Sequence, residues 1–253
     1  MPKGKKLRSS NYSFLKLVIV LLLLFIVSML TVFYIFPQIW VVISLKSDFP
    51  QSSYPQLYVI PKERQVEIVD TSFGNYKEYS SSGFRLKSPW SDEVSRANNP
   101  ESEIFIFKDG KAIFFLKDRS ILNPEVSRLA GSQEDLQRLL DFLGVDTLSS
   151  NYKFNESVLM TNPGTLSIFE SRKEVLADSV LLSLKLALIL PFKGGIYSFQ
   201  TPSLRGFQYG DPAVSGGVKL QIFDKKDQEF HIGLKGATQK DIDFILSSIK
   251  FTN

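Results

Sequence analysis

The hydrophobic pattern divides the chain unevenly. Leu17 to Phe36 reads LVIVLLLLFIVSMLTVFYIF, twenty residues in which only Ser28 and Thr31 are polar. A helix of that length rises about 30 Å, the thickness of a bilayer's hydrocarbon core. The apolar character runs on past Pro37 and Gln38 to Leu45, and Tyr34 and Trp40 suit a membrane–water interface. A cleaved signal peptide would have a shorter apolar core and a small-x-small site, and IWVVIS supplies neither, so the pattern predicts an uncleaved anchor. A second apolar run, Val180 to Phe192, is too short to cross and carries Lys185, which predicts a helix buried in a domain core.

After a polar, proline-punctuated linker at 46–55 the period changes to two. Leu57–Ile60 and Val66, Ile68 and Val69 flank PKER, which predicts a hairpin across 57–70. IFIFKDGKAIFFL at 104–116 predicts another, with Asp109-Gly110 as the positive-φ pair of a tight turn. Ser132 with Asp135 opens a helix whose face is Leu136, Leu139, Leu140 and Leu143 and which Gly144 ends. A helix over about 172–190 stops at Pro191. Strands are expected at Ile196–Gln200, Leu204–Tyr209, Val218–Phe223 and Glu229–Leu234, followed by a helix capped by Thr238 and Asp241. This order describes an α+β fold, an antiparallel sheet covered by helices on both faces and preceded by one transmembrane helix. The divisions are a basic cytosolic tail at 1–16, the anchor at 17–45, the linker at 46–55 and an extracytoplasmic domain at 56–253.

Charge sets the orientation. Among 30 basic and 26 acidic side chains, Lys3, Lys5, Lys6, Arg8, Lys16 and Lys46 all precede the first acid, Asp48. The cationic flank predicts a cytoplasmic N-terminus and a C-terminal domain on the outer, periplasmic side of a cell membrane. The remainder is close to neutral, which excludes nucleic acid as the leading partner. Zero Cys and one His exclude disulfides, thiol nucleophiles and multi-His metal sites.

Gly83, Phe84, Pro89 and Trp90 in SSGFRLKSPW, and Ser248, Ile249, Lys250 and Phe251 in the closing SSIKF, resemble the two ends of PsbP-like domains. Photosystem PsbP proteins, Ran-binding Mog-type proteins and small bacterial envelope proteins share that fold. GGIYSFQT and GVKLQIFD fit the family's strand order, and the likeness covers about 80–253. The apolar 175–190 helix and the expected 57–70 hairpin depart from it. The resemblance implies a helix–sheet–helix sandwich that binds other proteins and shares no catalytic residues.

No residue set points to chemistry, so no catalytic, cofactor-binding or metal-ligating residue is assigned. Ser215 in AVSGG lacks the strand–turn–helix context of a nucleophile elbow. Ser13/Lys16 and Ser247/Lys250 have Ser-x-x-Lys spacing without companion motifs. Asp224, Asp227 and Glu229 lack the glycine and register of a calcium loop and read as a charged hairpin tip. Asn155-Glu-Ser157 has the form of a glycosylation sequon. Tyr197, Phe199, Phe207 and Tyr209 alternate in adjacent strands; core packing is the default reading, and one exposed strip would make them partner contacts. His231 shares the face opposite Phe230, Ile232 and Leu234 with Glu229, where it reads as a solvated strand residue or a contact. The expected partners are the bilayer, through 17–45, and other envelope or membrane proteins. The leading function is a non-catalytic interaction or assembly factor; an envelope hydrolase using unassigned carboxylates and a small-ligand or lipid binder are the alternatives.

Overall fold

The computed structural model describes residues 8–72, 74–81, 83–100, 102–116, 132–146, 149–189 and 192–252. The basic leader through Leu7 and the helix stop expected at Pro191 lie outside them. The chain opens with helix α1, Arg8–Leu30, then a π turn, Thr31–Ile35, then α2, Phe36–Asp48. Leu30 and Phe36 both have right-handed helical dihedrals, so the backbone continues through the junctions as one rod. Among the described residues no single helix is long and apolar enough to cross a membrane. The apolar run has two fates. Up to Trp40 its described side chains are largely exposed, whereas Val42 is buried with Val41 and Leu45 against Leu166, Val175 and Leu182.

The larger sheet has eight strands: β1 Lys62–Arg64, β4 Glu93–Asn98, β5 Ser102–Phe107, β6 Ala112–Leu116, β7 Ile196–Gln200, β8 Arg205–Tyr209, β9 Gly217–Phe223 and β10 Glu229–Lys235. Their spatial order is β1-β7-β8-β9-β10-β6-β5-β4. The sheet is mixed rather than antiparallel, because β1 runs parallel to β7, with Lys62 opposite Tyr197 and Arg64 opposite Phe199. The hairpin expected at 57–70 is therefore absent. PKER is strand rather than turn, and Leu57 sits fully buried in a 3₁₀ turn, Pro55–Tyr58. A second sheet orders β11 Lys250–Phe251, β3 Phe84–Lys87 and β2 Glu78–Ser81.

Two cores follow from strand alternation. On one face Phe105, Ile113, Phe115, Phe199, Leu220 and Ile232 meet Tyr79, Phe84 and Leu86 of the small sheet. Ile242, Ile245 and Leu246 of the closing helix, Gln239–Ser248, join that core. On the other face Ile196, Phe207, Tyr209 and Phe223 lie under α3 Gln133–Leu143, α4 Asn151–Met160 and α5 Arg172–Ile189. A short helix α6, Pro212–Ser215, precedes β9, and the closing helix is α7.

Local chemistry explains the element ends. Asp109 and Gly110 take φ of 60° and 71° and close the β5–β6 hairpin. The Ser132 side chain accepts from the Asp135 N–H, and Gly144 ends α3 at φ 81°. Thr238 and Asp241 form a reciprocal capping box on α7. Gly83, at φ 91°, lies against Phe230, whose ring would be 2.7 Å from an added Cβ. There β11 pairs with β3, Phe251 opposite Phe84, so the two segments that carry the sequence resemblance meet in space.

The β9–β10 turn is a clamp. The Asp224 carboxylate accepts from the Lys226 and Gln228 amides, each at 2.8 Å. Asp227 turns the other way, accepting from the Asn151 and Tyr152 amides at the start of α4 and pairing with Arg205 at 2.9 Å. Tyr152 stacks on Phe207, and the Arg205 guanidinium lies over the Tyr152 ring, 4.3 Å from its centroid. Asp227→Ala should cost about 1–2 kcal/mol, the usual cost of losing a helix cap. Asp227→Asn keeps an acceptor and tolerates positive φ, so urea unfolding should show a smaller loss for it; equal losses would contradict the capping role.

Candidate functional site

The aromatic strip does not form. Ser198 pairs with Phe207 and Phe199 with Gly206 across β7 and β8. Tyr197 and Phe199 therefore face α7, while Phe207 and Tyr209 face the helical layer. Phe199, Phe207 and Tyr209 are core residues, and Tyr197 is half-buried. His231 is on the side expected from strand phase, with Glu229, yet it is buried, at 5% exposure. The missing signal was the helix above it. Asn155 of α4 is also buried, donating to the Asn151 carbonyl and accepting from Gln221 at 2.9 Å, so the sequon's asparagine is committed to the interior.

These side chains form a buried polar chain. Tyr209 donates to Gln221, Gln221 Nε2 donates to Glu229 at 2.5 Å, and His231 Nε2 lies 2.5 Å from the same Glu229 oxygen. Burial pushes the Glu229 carboxyl up, but the bonds from His231 and Gln221 and the nearby Lys219 charge outweigh it and hold it below the usual range. Burial, reinforced by Glu229, raises the Tyr209 phenol well above its ordinary value. Lys219 completes the group from β9. Its ammonium is buried without a hydrogen-bond partner, 5.3 Å from the Tyr209 ring centroid, and burial brings it down to about 8 against the opposing pull of Glu229. The three acids of the hairpin tip thus serve three different partners, and among the described residues no group of carboxylates and histidine is arranged to hold a metal. Ser247 is likewise structural: its hydroxyl accepts from the Val69 amide and donates to the Asp243 carbonyl.

A groove of about 560 Å³ opens where β1, β7, α6 and α7 converge, lined by Arg64, Tyr197, Asp211, Ala213, Ala237 and Gln239. Its volume lies in the range of small-molecule sites. Arg64 Nη1 donates to Asp243 at 2.6 Å, and Asp243 also accepts from the Glu67 amide and from Gln239. The Arg64 Nε and Nη2 hydrogens are buried without partners. Tyr197 is raised by burial and then by Asp211, to which its hydroxyl is bonded. The guanidinium is thus committed to Asp243 on one edge and lies over the Phe199 ring, 5.3 Å from its centroid. Sequence reading missed Arg64 because its partner, Asp243, is 179 residues away.

Comparison with known protein families, with curated proteins and with solved structures finds no match.

Lys185 contrasts with Lys219. It is equally buried in α5, but its ammonium donates to the Val59 and Thr161 carbonyls at 2.8 and 2.7 Å. Burial lowers it, too, to about 8. Lys185→Met leaves both carbonyls unpaired and should destabilise by about 2–3 kcal/mol. Lys219→Met removes a charge that has no hydrogen-bond partner and should be neutral or stabilising by about 1–2 kcal/mol at pH 7. Both lysines titrate near 8 when folded and near 10.5 when unfolded, so between those values the unfolded chain holds more protons. Stability should therefore rise from pH 8 to about 9.5, before unfolded tyrosines ionise near 10. Urea midpoints across that window should rise less steeply in Lys219→Met; an unchanged slope would contradict the assignment.

Proposed function

We propose that this chain is a membrane-anchored, extracytoplasmic domain that acts by binding other envelope or membrane proteins rather than by catalysis. One observation carries the membrane part. Every apolar side chain described from Val18 to Phe33 is 42–65% exposed, on all faces of the rod. Thr31, within that stretch, satisfies its hydroxyl on the Val27 carbonyl, as a polar group in lipid must. Among the described residues no single helix is both long and apolar enough to cross, but the continuous rod carries the apolar run of α1 on into α2. From Val18 through exposed Phe36 to exposed Trp40 it extends about 34 Å at the α-helical rise. Trp40 then marks the outer interface, and Val41 begins the contact with the domain. The excess of cations before residue 17 supports a cytoplasmic N-terminus.

The PsbP-like assignment belongs to the same proposal. It is supported by the pairing of the Gly83-Phe84 strand with the Lys250-Phe251 tail and by helices over both sheet faces.

The anchor has a direct test. Carbonate washing should leave the intact protein in the membrane pellet, and a reporter fused after Asn253 should be active only outside the cytoplasm. Leu23→Lys with Val27→Lys should release the protein, each charge costing about 3 kcal/mol at a helix centre in lipid. Release of the unaltered chain by carbonate would overturn the reading.

A further inference from the structure

The geometry points to a second membrane contact, a wedge formed by Ile168 and Phe169 in the loop before α5, seated in the lipid interface beside the anchor. The inference rests on the membrane reading above. Val41, Val42 and Leu45 of α2 cluster with Leu166, Val175 and Leu182. Further along the same chain Tyr58 donates to the Phe49 carbonyl, and Val59 receives the ammonium of Lys185. The seam against α2 thus takes in both Val175 and Leu182 of α5 and, through Leu166, the loop before it. That loop is therefore held against residues 41–45, within about one turn of Trp40, where the rod leaves the bilayer.

What that loop presents is apolar. Phe169 is 91% exposed, the most exposed large hydrophobic residue described, although Leu166, three residues earlier, is buried against the anchor. Ser167 shapes the loop, its hydroxyl accepting from the Phe169 amide at 3.1 Å and its carbonyl from the Glu170 amide. Phe142, exposed at the end of α3, reaches the same corner, since the Lys173 ammonium lies 5.7 Å from its ring centroid. Exposed aromatic rings continuous with an anchoring helix fit the amphipathic belt of a membrane interface. Arg172 and Lys173 are offset by Glu170 and Glu174. The contact is therefore apolar in character and requires no anionic lipid. It would hold the domain against the bilayer in a fixed pose instead of letting it swing on the rod.

The chain has no cysteine, so single spin labels can be placed unambiguously. Full-length chains labelled at Phe25→Cys, Phe169→Cys or Val94→Cys are reconstituted in phosphatidylcholine vesicles, and collision with oxygen is compared with collision with a water-soluble nickel chelate. Val94 is exposed on the edge strand farthest from β1 and serves as the water-facing reference. Positions 25 and 169 should both show an oxygen-to-nickel ratio several-fold above that at 94. A lipid-facing 25 with a water-facing 169 would overturn the wedge and leave the anchor standing. A water-facing 25 would overturn the anchor and the wedge with it. Spectral broadening at 169 that grows with protein density would place a second copy there and also overturn it. A label at Leu176→Cys supplies the variant test, because Phe169 is too exposed for its loss to unfold the domain. Adding Phe169→Glu should lower the ratio at 176 several-fold; an unchanged ratio would remove Phe169 from the contact.

Discussion

The apolar surface from Val18 to Phe33 cannot be left in water, and the rest of the structure is arranged around that constraint. Fourteen large side chains there are 42–65% exposed and belong to none of the hydrophobic clusters among the described residues. Covering them is worth on the order of 20 kcal/mol, even allowing for their partial exposure. That exceeds the whole stability of an ordinary domain, so no rearrangement of the folded part would compensate for leaving them wet. In our proposal the bilayer supplies the cover. The change at Trp40, from side chains facing outward to Val42 packed on α5, then sets where lipid ends and protein begins.

The folded part is held to the rod by more than that apolar seam. Lys185 ties the loop after the rod and the end of α4 to α5 through two carbonyls, so the segment 49–59 is fastened to the same helix that α2 touches. On the sheet side, Asp227 joins the β9–β10 turn to the start of α4, and the Tyr209–Gln221–Glu229–His231 chain lies beneath that helix with Asn155 closing it. Polar groups buried this way are costly unless satisfied, and in this chain all but the Lys219 ammonium have hydrogen-bond partners. They add directional bonds between helix layer and sheet that apolar packing alone does not provide. The groove at Arg64 lies on the opposite face, beside α7, where Arg64 is ion-paired with Asp243.

What was legible in the amino-acid order was the chemistry of neighbours. Asp109-Gly110, the Ser132 cap, Gly144 and the Thr238–Asp241 box each act within a few residues, and each forms as read. The strands at 196–200, 218–223 and 229–234 were visible from period alone. What was hidden depends on distant pairing. PKER resembles a turn until β7 is known to lie alongside it, and β11 has only two residues and exists because β3 receives it. Core packing, the default for the four aromatics, holds for Phe199, Phe207 and Tyr209, but on two faces rather than one. Alternation within each strand was right, but the β7–β8 turn decides the phase between strands, and it sends Phe199 and Phe207 to opposite faces. His231 was placed on the correct side and mistaken for a solvated residue, since nothing local announces that α4 lies over it.

The candidate site divides along the same line. No motif marks Arg64 or Lys219, because an unpaired donor becomes visible only when every neighbour is known. The apolar rod is the reverse case, plain from the amino-acid order over 17–36, with only its docked end, Val41 to Leu45, requiring the fold to interpret.

Hydrogen exchange of the full-length chain in lipid vesicles tests the central claim most directly. Amides from Val18 to Phe36 should remain unexchanged for longer than those of β9 and β10, the centre of the sheet, because water does not reach a backbone inside hydrocarbon. Exchange of the 18–36 amides within minutes, as for an isolated helix in water, would contradict the account.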